Sequence, residues 1–497
     1  MHKRIILISY LPSIFIIGFS GAFLILKNID KVEAEKNILS AQVSQFFNSA
    51  ELKNNGSGYL DVEKNISQKT TGLLMFRGNQ ARTFYGTGPL GDNLKIEWRY
   101  PERVMCADST VGNETKQWCG SGWTGQPAVW ERSDGITEVI FGAYDRKIHF
   151  LNADTGKEIR PSFETGDIIK GSVTVDPDGY PLLYSGSRDN KYRIIALDRD
   201  LPTELWNTEA RKSDGVWNDD WDGNGVIIDG ILYEGSENGI FHVIELNRSY
   251  RADGRVTISP KELFRIPTFS EDLIGTLGDD NLSIENSPVV YKDRVYIANS
   301  GGRIMGFDIS NVRKNSLPVV FDFWAGDDID ATLLVDDEGK LYVASEEERL
   351  NDRSKEVGQL MKLDPKNEEN PLVWSLHLPA KGQNLGGIWA TPALQGNILY
   401  AVTNPGDLLT VDKNSGKILS KNYIFPHLWS SPVVIDDSLL VGTCQGELRK
   451  YSLASDRQPT IQSITKIPTG SCIESTPAVW NGEIFFGARD GFFYKIK

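Results

Sequence analysis

The 497-residue sequence is poor in basic residues relative to acidic ones, and it has few cysteines, histidines and methionines. Lysine and arginine number 53 against 67 aspartates and glutamates, which gives a net charge of −14. Because nucleic-acid binding requires a basic surface, this balance argues against a nucleic-acid partner. The four cysteines form no Cys-x-x-Cys pair and have no histidine at metal-ligand spacing, so no zinc site is predicted. With 40% apolar and 10% aromatic residues, the chain is too hydrophobic to be disordered.

Signals for catalysis are also scarce. The sequence contains no Gly-x-Ser-x-Gly elbow on a strand–helix turn, which excludes the common nucleophilic serine motif. Its glycine-rich segments read as hairpin turns and precede no helix, so a phosphate-binding loop is not predicted. Among the five histidines, only His427 lies near the expected working face. Whether the protein is an enzyme stays open at this point, and the pattern favours a binding protein.

The N-terminus contains one long apolar run. Residues 5–26 carry no charge, and about 20 apolar residues suffice to cross a bilayer. The run ends in Leu26-Lys27, a poor cleavage site, so residues 1–27 are predicted to be an uncleaved transmembrane signal anchor; a signal peptide and a buried core helix are the alternatives. No cysteine follows the run, which argues against a lipoprotein. Residues 28–70 are polar and predict a stalk or linker.

A large body after a single N-terminal span most often lies outside the cytoplasm, so we expect a membrane-anchored protein on the periplasmic or extracellular side. The four cysteines agree, because an even number in an exported protein indicates disulfides. We expect the pairs Cys106–Cys119 and Cys444–Cys472. Four unpaired thiols in a cytoplasmic protein are the alternative.

One pattern recurs eight times from residue 95 onward. Each unit has a small or proline-containing start, an aromatic-rich strand, a Gly/Asn/Asp turn and a further strand that ends near aspartate. The aligned start positions are Pro127, Val173, Gly225, Pro288, Thr332, Pro392, Pro432 and Pro477. Alternating apolar runs between such turns predict strands and hairpins, and four-stranded units repeated roughly every 40–60 residues are typical of a β-propeller. We therefore predict an all-β, eight-bladed β-propeller over residues 71–497, preceded by the transmembrane helix.

The eighth unit has only three strands before the chain reaches Lys497. A fourth is available upstream, because LKIEWRYP at 94–101 is similar to the fourth strands of other units, such as TELWNTE at 203–209. Pairing this early strand into the last blade would remove exposed strand edges where the ring closes. We therefore expect Trp98 and Tyr494 in the same sheet.

The segments AYDRKIHFLNADTGKEI (143–159) and VTNPGDLLTVDKNSGKIL (402–419) resemble the pyrroloquinoline-quinone (PQQ) repeat of quinoprotein-type propellers. The segments MFRGNQARTFYGTGPL and CADSTVGNETKQWCGSGWTGQP resemble an uncharacterised, membrane-anchored bacterial branch of these proteins. Two better-known relatives share the architecture. The quinoprotein alcohol dehydrogenases hold PQQ and calcium on the propeller axis beneath adjacent cysteines, which this chain lacks. The outer-membrane barrel-assembly propeller is a non-catalytic lipoprotein scaffold. A shared fold does not transmit function.

In a propeller, the loops that lead into the innermost strands converge on the axis. The candidate ligand-binding residues lie in these loops or in the turns between second and third strands on the same face. They are Lys170, Asp222, Glu285, Asn286, Arg303, Asp330, Trp389, Trp429 and Glu474.

Each candidate also has a structural interpretation. The two tryptophans could pack between blades, and the acids could form ion pairs or bind calcium, since hard cations prefer oxygen ligands. The leading hypothesis is a non-catalytic extracytoplasmic propeller without a cofactor, which binds a protein, peptide or carbohydrate partner of the cell envelope on its axial face. The alternative is a dehydrogenase dependent on PQQ and calcium, with Glu285 and Asn286 as metal ligands, Asp330 as base and Arg303 near the quinone.

Overall fold

Eight antiparallel sheets succeed one another along the chain and form the blades of a propeller. A computed structural model describes residues 70–111, 114–123 and 125–497, with the backbone alone at Val111. The prediction of an eight-bladed all-β propeller is confirmed. In the described part of the chain, no helix is long and apolar enough to cross a membrane. The predicted anchor and nearly all of the predicted stalk lie outside the described residues, so both stay predictions.

Each blade has four main strands, counted from the axis outward. The innermost strands of blades one to eight are Ala128–Glu131, Thr174–Val175, Val226–Ile228, Val289–Tyr291, Leu334–Val335, Ala393–Gln395, Val433–Ile435 and Ala478–Trp480. The second strands are Thr137–Gly142, Leu182–Ser185, Ile231–Gly235, Arg294–Ala298, Leu341–Ala344, Ile398–Val402, Ser438–Gly442 and Glu483–Gly487. The third strands are Lys147–Asn152, Lys191–Ala196, Ile240–Glu245, Arg303–Asp308, Leu360–Leu363, Asp407–Asp412, Glu447–Leu453 and Phe493–Ile496.

The fourth strands lie at the rim and are more exposed. In blades one to seven they are Phe163–Glu164, Thr203–Glu209, Lys261–Pro267, Val319–Trp324, Leu372–Leu376, Ile418–Tyr423 and Pro459–Lys466. In blade eight the position is filled by Ile96–Tyr100, which pairs antiparallel with Phe493–Ile496 and places Arg99 opposite Tyr494. Trp98 and Tyr494 are therefore in one sheet, as the similarity of the fourth strands predicted. The ring closes through the two ends of the propeller.

Shorter elements decorate this frame. Strand Thr71–Leu73 extends blade one at its inner edge. Two hairpins and one extra strand pair are added: Cys106–Val111 with Glu114–Cys119, Ser249–Tyr250 with Val256–Thr257, and Glu346–Glu347 with Gly386–Gly387. The helices of the described region are short: α-helices Glu271–Leu277 and Asp352–Val357, and 3₁₀ turns Lys212–Asp214 and Val312–Lys314.

Small polar side chains link neighbouring blades near the axis. The backbone N–H of Ser287 donates to the Thr332 hydroxyl, that of Thr332 to the Thr391 hydroxyl, and that of Thr391 to the Ser431 hydroxyl, at 2.9–3.0 Å. Thr332 is thus equivalent to Ser287, the residue before Pro288. Its alignment with Pro288 in the sequence was wrong by one residue, because blade five lacks a proline to mark the start of the strand. The correct equivalent is Leu333.

The Thr-Gly and Ser-Gly turns of the repeat motif have a packing role. Gly156 has a φ of +68°, and a Cβ there would lie 2.7 Å from the Trp98 ring of the preceding blade. The indole Nε1 of Trp98 donates to the carbonyl of Ala153 at 3.0 Å. Trp374 of blade five makes the same two contacts with blade six, at Gly416 and at the Lys413 carbonyl. The turn therefore receives the rim tryptophan of the neighbouring blade.

Residues 74–87, here called the axial segment, lie along the propeller axis, against the innermost strands and the residues just before them. Their backbone bonds to blades two, four and five, through Val175 N to Leu74 O, Val290 N to Gln80 O and Val335 N to Ala81 O. Arg77 and Arg82 are fully buried. Arg82 donates to the carbonyls of Phe76, Asn224 and Pro288 at 2.8–3.0 Å. The axial segment therefore joins separate blades and occupies the channel.

Candidate functional site

In the loops that lead into the innermost strands, blades two to eight each contribute one described residue to the axis. With Leu333 as the start of blade five, the residue three positions earlier is Asp330, so it lies level with the others. We call this set the axial ring, and its described members are Lys170, Asp222, Glu285, Asp330, Trp389, Trp429 and Glu474. All seven were predicted from the sequence as candidate site residues. The blade-one position, 124, lies outside the described residues.

Acids and bases of blades two and three form the first charged group of the site. Lys170 Nζ contacts a carboxylate oxygen of Asp222 and lies 3.1 Å from Glu237 Oε1. Arg188 Nε lies 2.5 Å from Asp220 Oδ2. Burial opposes the charge of Lys170, but Asp222 and Glu237 outweigh it and raise its pKa well above the usual value.

This first group nearly balances its own charges. Carboxylate oxygens of Asp220, Asp222 and Glu237 lie within 4.8 Å of one another. Burial raises the pKa of both aspartates, and the charge of Glu237 raises it further, whereas Lys170 is the main influence that lowers the pKa of Glu237. Three acids therefore face two cations, Lys170 and Arg188. Lys170 and Arg188 therefore already pair with the carboxylates of this group.

Blades four and five supply a second acidic group with less compensation. Carboxylate oxygens of Asp328, Asp330 and Glu346 lie within 4.8 Å of one another. Nη1 of Arg349 lies 3.7 Å from Asp328 Oδ2 and donates its hydrogen bond to the Ser300 carbonyl at 2.6 Å. Glu285 adds a further negative charge that acts on Asp328.

The electrostatics of the second group follow from this shortage of cations. Burial raises the pKa of Asp328 to about 8, and the charge of Glu285 contributes. Burial and the neighbouring carboxylates also raise the pKa of Glu285, Asp330 and Glu346 well above their usual values. Oδ1 of Asp328 has no hydrogen-bond partner among the described residues, although the residue is 6% exposed. The group can hold protons or a hard cation.

Three indoles form the next part of the site, at blades six and seven. Trp389 and Trp429 stack with ring centroids 4.9 Å apart, and Trp123 lies 6.0 and 5.6 Å from them. Nε1 of Trp429 donates to Asn404 Oδ1 at 2.9 Å. Nε1 of Trp389 is buried without a hydrogen-bond partner in the described structure. The two predicted tryptophans therefore pack on each other and still present an unused donor.

Two other predicted residues are engaged elsewhere. The amide of Asn286 donates to the carbonyls of Ala298 and Ile329 at 3.1 and 2.7 Å, and its Oδ1 accepts from the Ala298 N–H at 3.3 Å. Arg303 turns toward the rim strand of its own blade, where Nε donates to Asp322 at 3.0 Å. Asn286 thus stabilises the backbone between blades four and five, and Arg303 is not part of the axial ring.

The predicted disulfides are confirmed. Cys106–Cys119 closes the base of the hairpin that leads into blade one, and Cys444–Cys472 joins a turn of blade seven to the loop entering blade eight. Around the hairpin, Trp118, Tyr144, Arg188 and Arg489 pack together. Sequence reasoning did not single out Trp123, Trp118, Asp328 or Glu346 as site residues. The acidic run GDDIDA at 326–331, which contains Asp328, is the sequence signal that points to part of this set.

Comparison with known proteins agrees with this architecture. Residues 275–422, which include blades four to six, match the family model PQQ_2, described as outer membrane protein assembly factor BamB. The quinohemoprotein alcohol dehydrogenase from Comamonas testosteroni has a similar structure, with a TM-score of 0.59 and 12% identity over 88% of this chain and 81% of that one. BamB from Moraxella catarrhalis is more distant, with a TM-score of 0.39 and 11% identity over 81% of this chain and 97% of that one. No curated protein matches.

These likenesses concern the fold and its repeat. An eight-bladed propeller defines the structural class. Within that class, residues 275–422 are similar to the PQQ-like repeat. At 11–12% identity, the activity of either solved protein does not extend to this chain.

Proposed function

We propose that the protein is a non-catalytic binding propeller that works outside the cytoplasm and receives a polar group of a protein, peptide or carbohydrate partner at its axial ring. The observation that carries this proposal is the set of buried polar atoms without partners at the ring. Trp389 Nε1 and Glu474 Oε2 are such atoms among the described residues. Buried polar groups are normally hydrogen-bonded, so an unpaired set around one axis suits a ligand.

The shape of the site supports a partner that inserts a group from one side. The axial segment bonds to Asn224, Pro288 and Thr391, which follow ring residues in the chain, so the ring is reached from the other side, the face of the loops that lead into the innermost strands. Two disulfides fix loops on that face, and disulfides persist in oxidising compartments. The apolar run at 5–26 would anchor such a protein to a membrane.

The test is a binding screen with the full-length protein on glycan and peptide arrays. Trp429→Ala removes one ring indole, and Glu285→Gln removes one ring charge while keeping its size. Tyr250→Ala is the matched control, because Tyr250 is an exposed aromatic residue in the Ser249–Tyr250 hairpin, away from the ring. We expect at least a tenfold loss of affinity for both ring variants and none for the control. Ligands that bind both ring variants as well as the wild type would refute the proposed face.

A second candidate function is calcium-dependent binding or dehydrogenase activity. The group of Asp328, Asp330 and Glu346, which has few neighbouring cations, favours a calcium site. Carboxylate oxygens this close, one of them unpartnered, fit a calcium ion. A bound calcium ion would supply positive charge at the axis and polarise an oxygen of a ligand.

Asn286, expected as a metal ligand, and Arg303, expected near the quinone, fit less well. The side-chain amide of Asn286 donates to backbone carbonyls, and Arg303 pairs with Asp322. We therefore derive no reaction through PQQ, and the metal and the quinone are tested separately. Calcium is titrated by calorimetry into the EDTA-treated protein. Glu346→Gln should lower the affinity at least tenfold, and its strand neighbour Glu347→Gln should not. A change in PQQ absorbance at micromolar protein would restore the dehydrogenase hypothesis.

A further inference from the structure

Four side chains in contact beside the axial ring each carry a hydrogen-bond donor that lacks an acceptor. The donors are the indole N–H of Trp118, the hydroxyl of Tyr144 and one Nη1 each of Arg188 and Arg489, and all four are buried and unpartnered within the described residues. They come from four places in the chain: the disulfide-closed hairpin and the second-to-third strand turns of blades one, two and eight. The concentration of donors at one place is the observation to be explained.

Their mutual distances define one small site. The guanidinium carbons of Arg188 and Arg489 lie 5.5 and 4.7 Å from the ring centroid of Trp118. Arg489 also lies 4.9 Å from the Tyr144 ring, and the two aromatic rings meet edge to face at 5.6 Å. Trp118 is therefore the centre of the group, with an arginine from each neighbouring side.

The site is built into the fold and is not a chance surface arrangement. Tyr144 is 0% exposed and Arg188 is 9% exposed. The hairpin that carries Trp118 is closed by Cys106–Cys119. Its base is bonded to blade one through Tyr144 N to Gly120 O at 2.9 Å, and to blade eight through Met105 N to Gly491 O at 2.9 Å. The donors are thus held in place before any ligand arrives.

The local charges limit what can bind. Arg188 already pairs with Asp220 through Nε at 2.5 Å, and Arg489 Nε lies 3.7 Å from Glu474. Two guanidinium groups and two acids leave little net charge, so a monoanion is accommodated more easily than a dianion. The remaining guanidinium N–H groups match the planar oxygens of a carboxylate.

We propose that Trp118, Tyr144, Arg188 and Arg489 form a subsite that binds a carboxylate group of the ligand. This inference rests on the proposed function, because it names the chemical group that the ligand of the axial ring carries. A peptide C-terminus, an acidic side chain and an acidic sugar all present this group.

The experiment measures ligand-dependent thermal stabilisation of the full-length protein at constant ionic strength. Sodium acetate and sodium benzoate are the carboxylate probes, and inorganic phosphate and chloride are the comparison anions. We expect saturable stabilisation by the carboxylates, with an apparent Kd at least tenfold lower than that for phosphate. Tyr144→Phe removes only one hydroxyl and should weaken carboxylate binding about fivefold without loss of folding. Arg489→Gln should weaken it at least tenfold.

The control variant is Arg313→Gln. Arg313 is half exposed in the loop that follows the third strand of blade four, and it pairs with Glu245 at the end of the third strand of blade three. This variant should bind carboxylates like the wild type. Three results would each overturn the inference: no saturable stabilisation by carboxylates, carboxylate binding by Tyr144→Phe and Arg489→Gln as tight as by the wild type, or tighter binding of phosphate than of carboxylates. If carboxylates fail but array ligands still depend on Trp429, the subsite is wrong and the axial ring stands. If carboxylates bind and no array ligand depends on the ring, the proposed function is wrong.

Discussion

Asp328 couples the stability of the propeller to pH, and the substitution Asp328→Asn isolates that coupling. Its pKa rises from 3.8 to about 8, because burial disfavours the charged form and Glu285 repels it. Asparagine has nearly the same size and cannot ionise. The variant therefore removes the titration and leaves most of the packing in place.

The direction in which stability changes with pH follows from proton binding. The folded protein keeps the proton on Asp328 between pH 4 and pH 8, whereas the unfolded chain releases it near pH 4. Folded protein binds more protons in this interval, so the wild type loses stability as the pH rises. One proton corresponds to about 1.4 kcal/mol per pH unit. Over four units the loss is about 5 kcal/mol, a large part of the stability of a typical domain.

The assay is urea unfolding of wild type and Asp328→Asn at pH 5, 6, 7 and 8 in EDTA. The stability of the variant relative to the wild type should rise by about 1.4 kcal/mol per pH unit. Asp253→Asn is the control, since Asp253 is exposed in the hairpin loop of blade three and its substitution should give a difference independent of pH. A difference for Asp328→Asn that stays flat, or falls with pH, would refute this description of the acidic group.

Three further predictions concern the frame that positions the site. Arg82→Met should destabilise the protein by about 3–5 kcal/mol in urea unfolding, because it leaves three buried carbonyls unpaired; full stability would contradict the structural role of the axial segment. Gly156→Ala should cost more than 1 kcal/mol by the same assay, since its positive φ and the Trp98 ring leave no room for a Cβ; a neutral effect would show that the contact is loose. Replacing Cys106 and Cys119 together by serine should lower the free energy of unfolding by about 3 kcal/mol and expose the hairpin to proteolysis. An unchanged digestion pattern would show that the disulfide does not hold the hairpin in place.

Much of the fold could be predicted because its signals are local. Alternating apolar residues and Gly/Asn/Asp turns repeat in every unit, and the rim strands share an aromatic pattern that identified Ile96–Tyr100 as the closing strand. The one-residue error at Thr332 arose where blade five departs from the proline-containing start. The axial segment was missed for a different reason. Arg77 and Arg82 look like solvent-exposed loop residues, and only the assembled blades supply the carbonyls that bury Arg82.

The axial ring was also largely predictable, because the geometry of a propeller places equivalent loop residues around one axis. What the sequence could not show is which way a side chain turns from a correctly placed backbone. Asn286 turns into the backbone between two blades and Arg303 turns to the rim. Trp118 enters the site from a hairpin that has no counterpart in the other units, so no repeat could point to it.

The most direct test of the central claim is a crystal structure of the full-length protein purified from its native source. We predict a bound molecule or ion at the axial ring, in contact with Asp330 or Trp429 and with an acidic group directed toward Arg489. A ring whose own side chains satisfy one another, with Trp389 and Glu285 turned away from the axis, would contradict it.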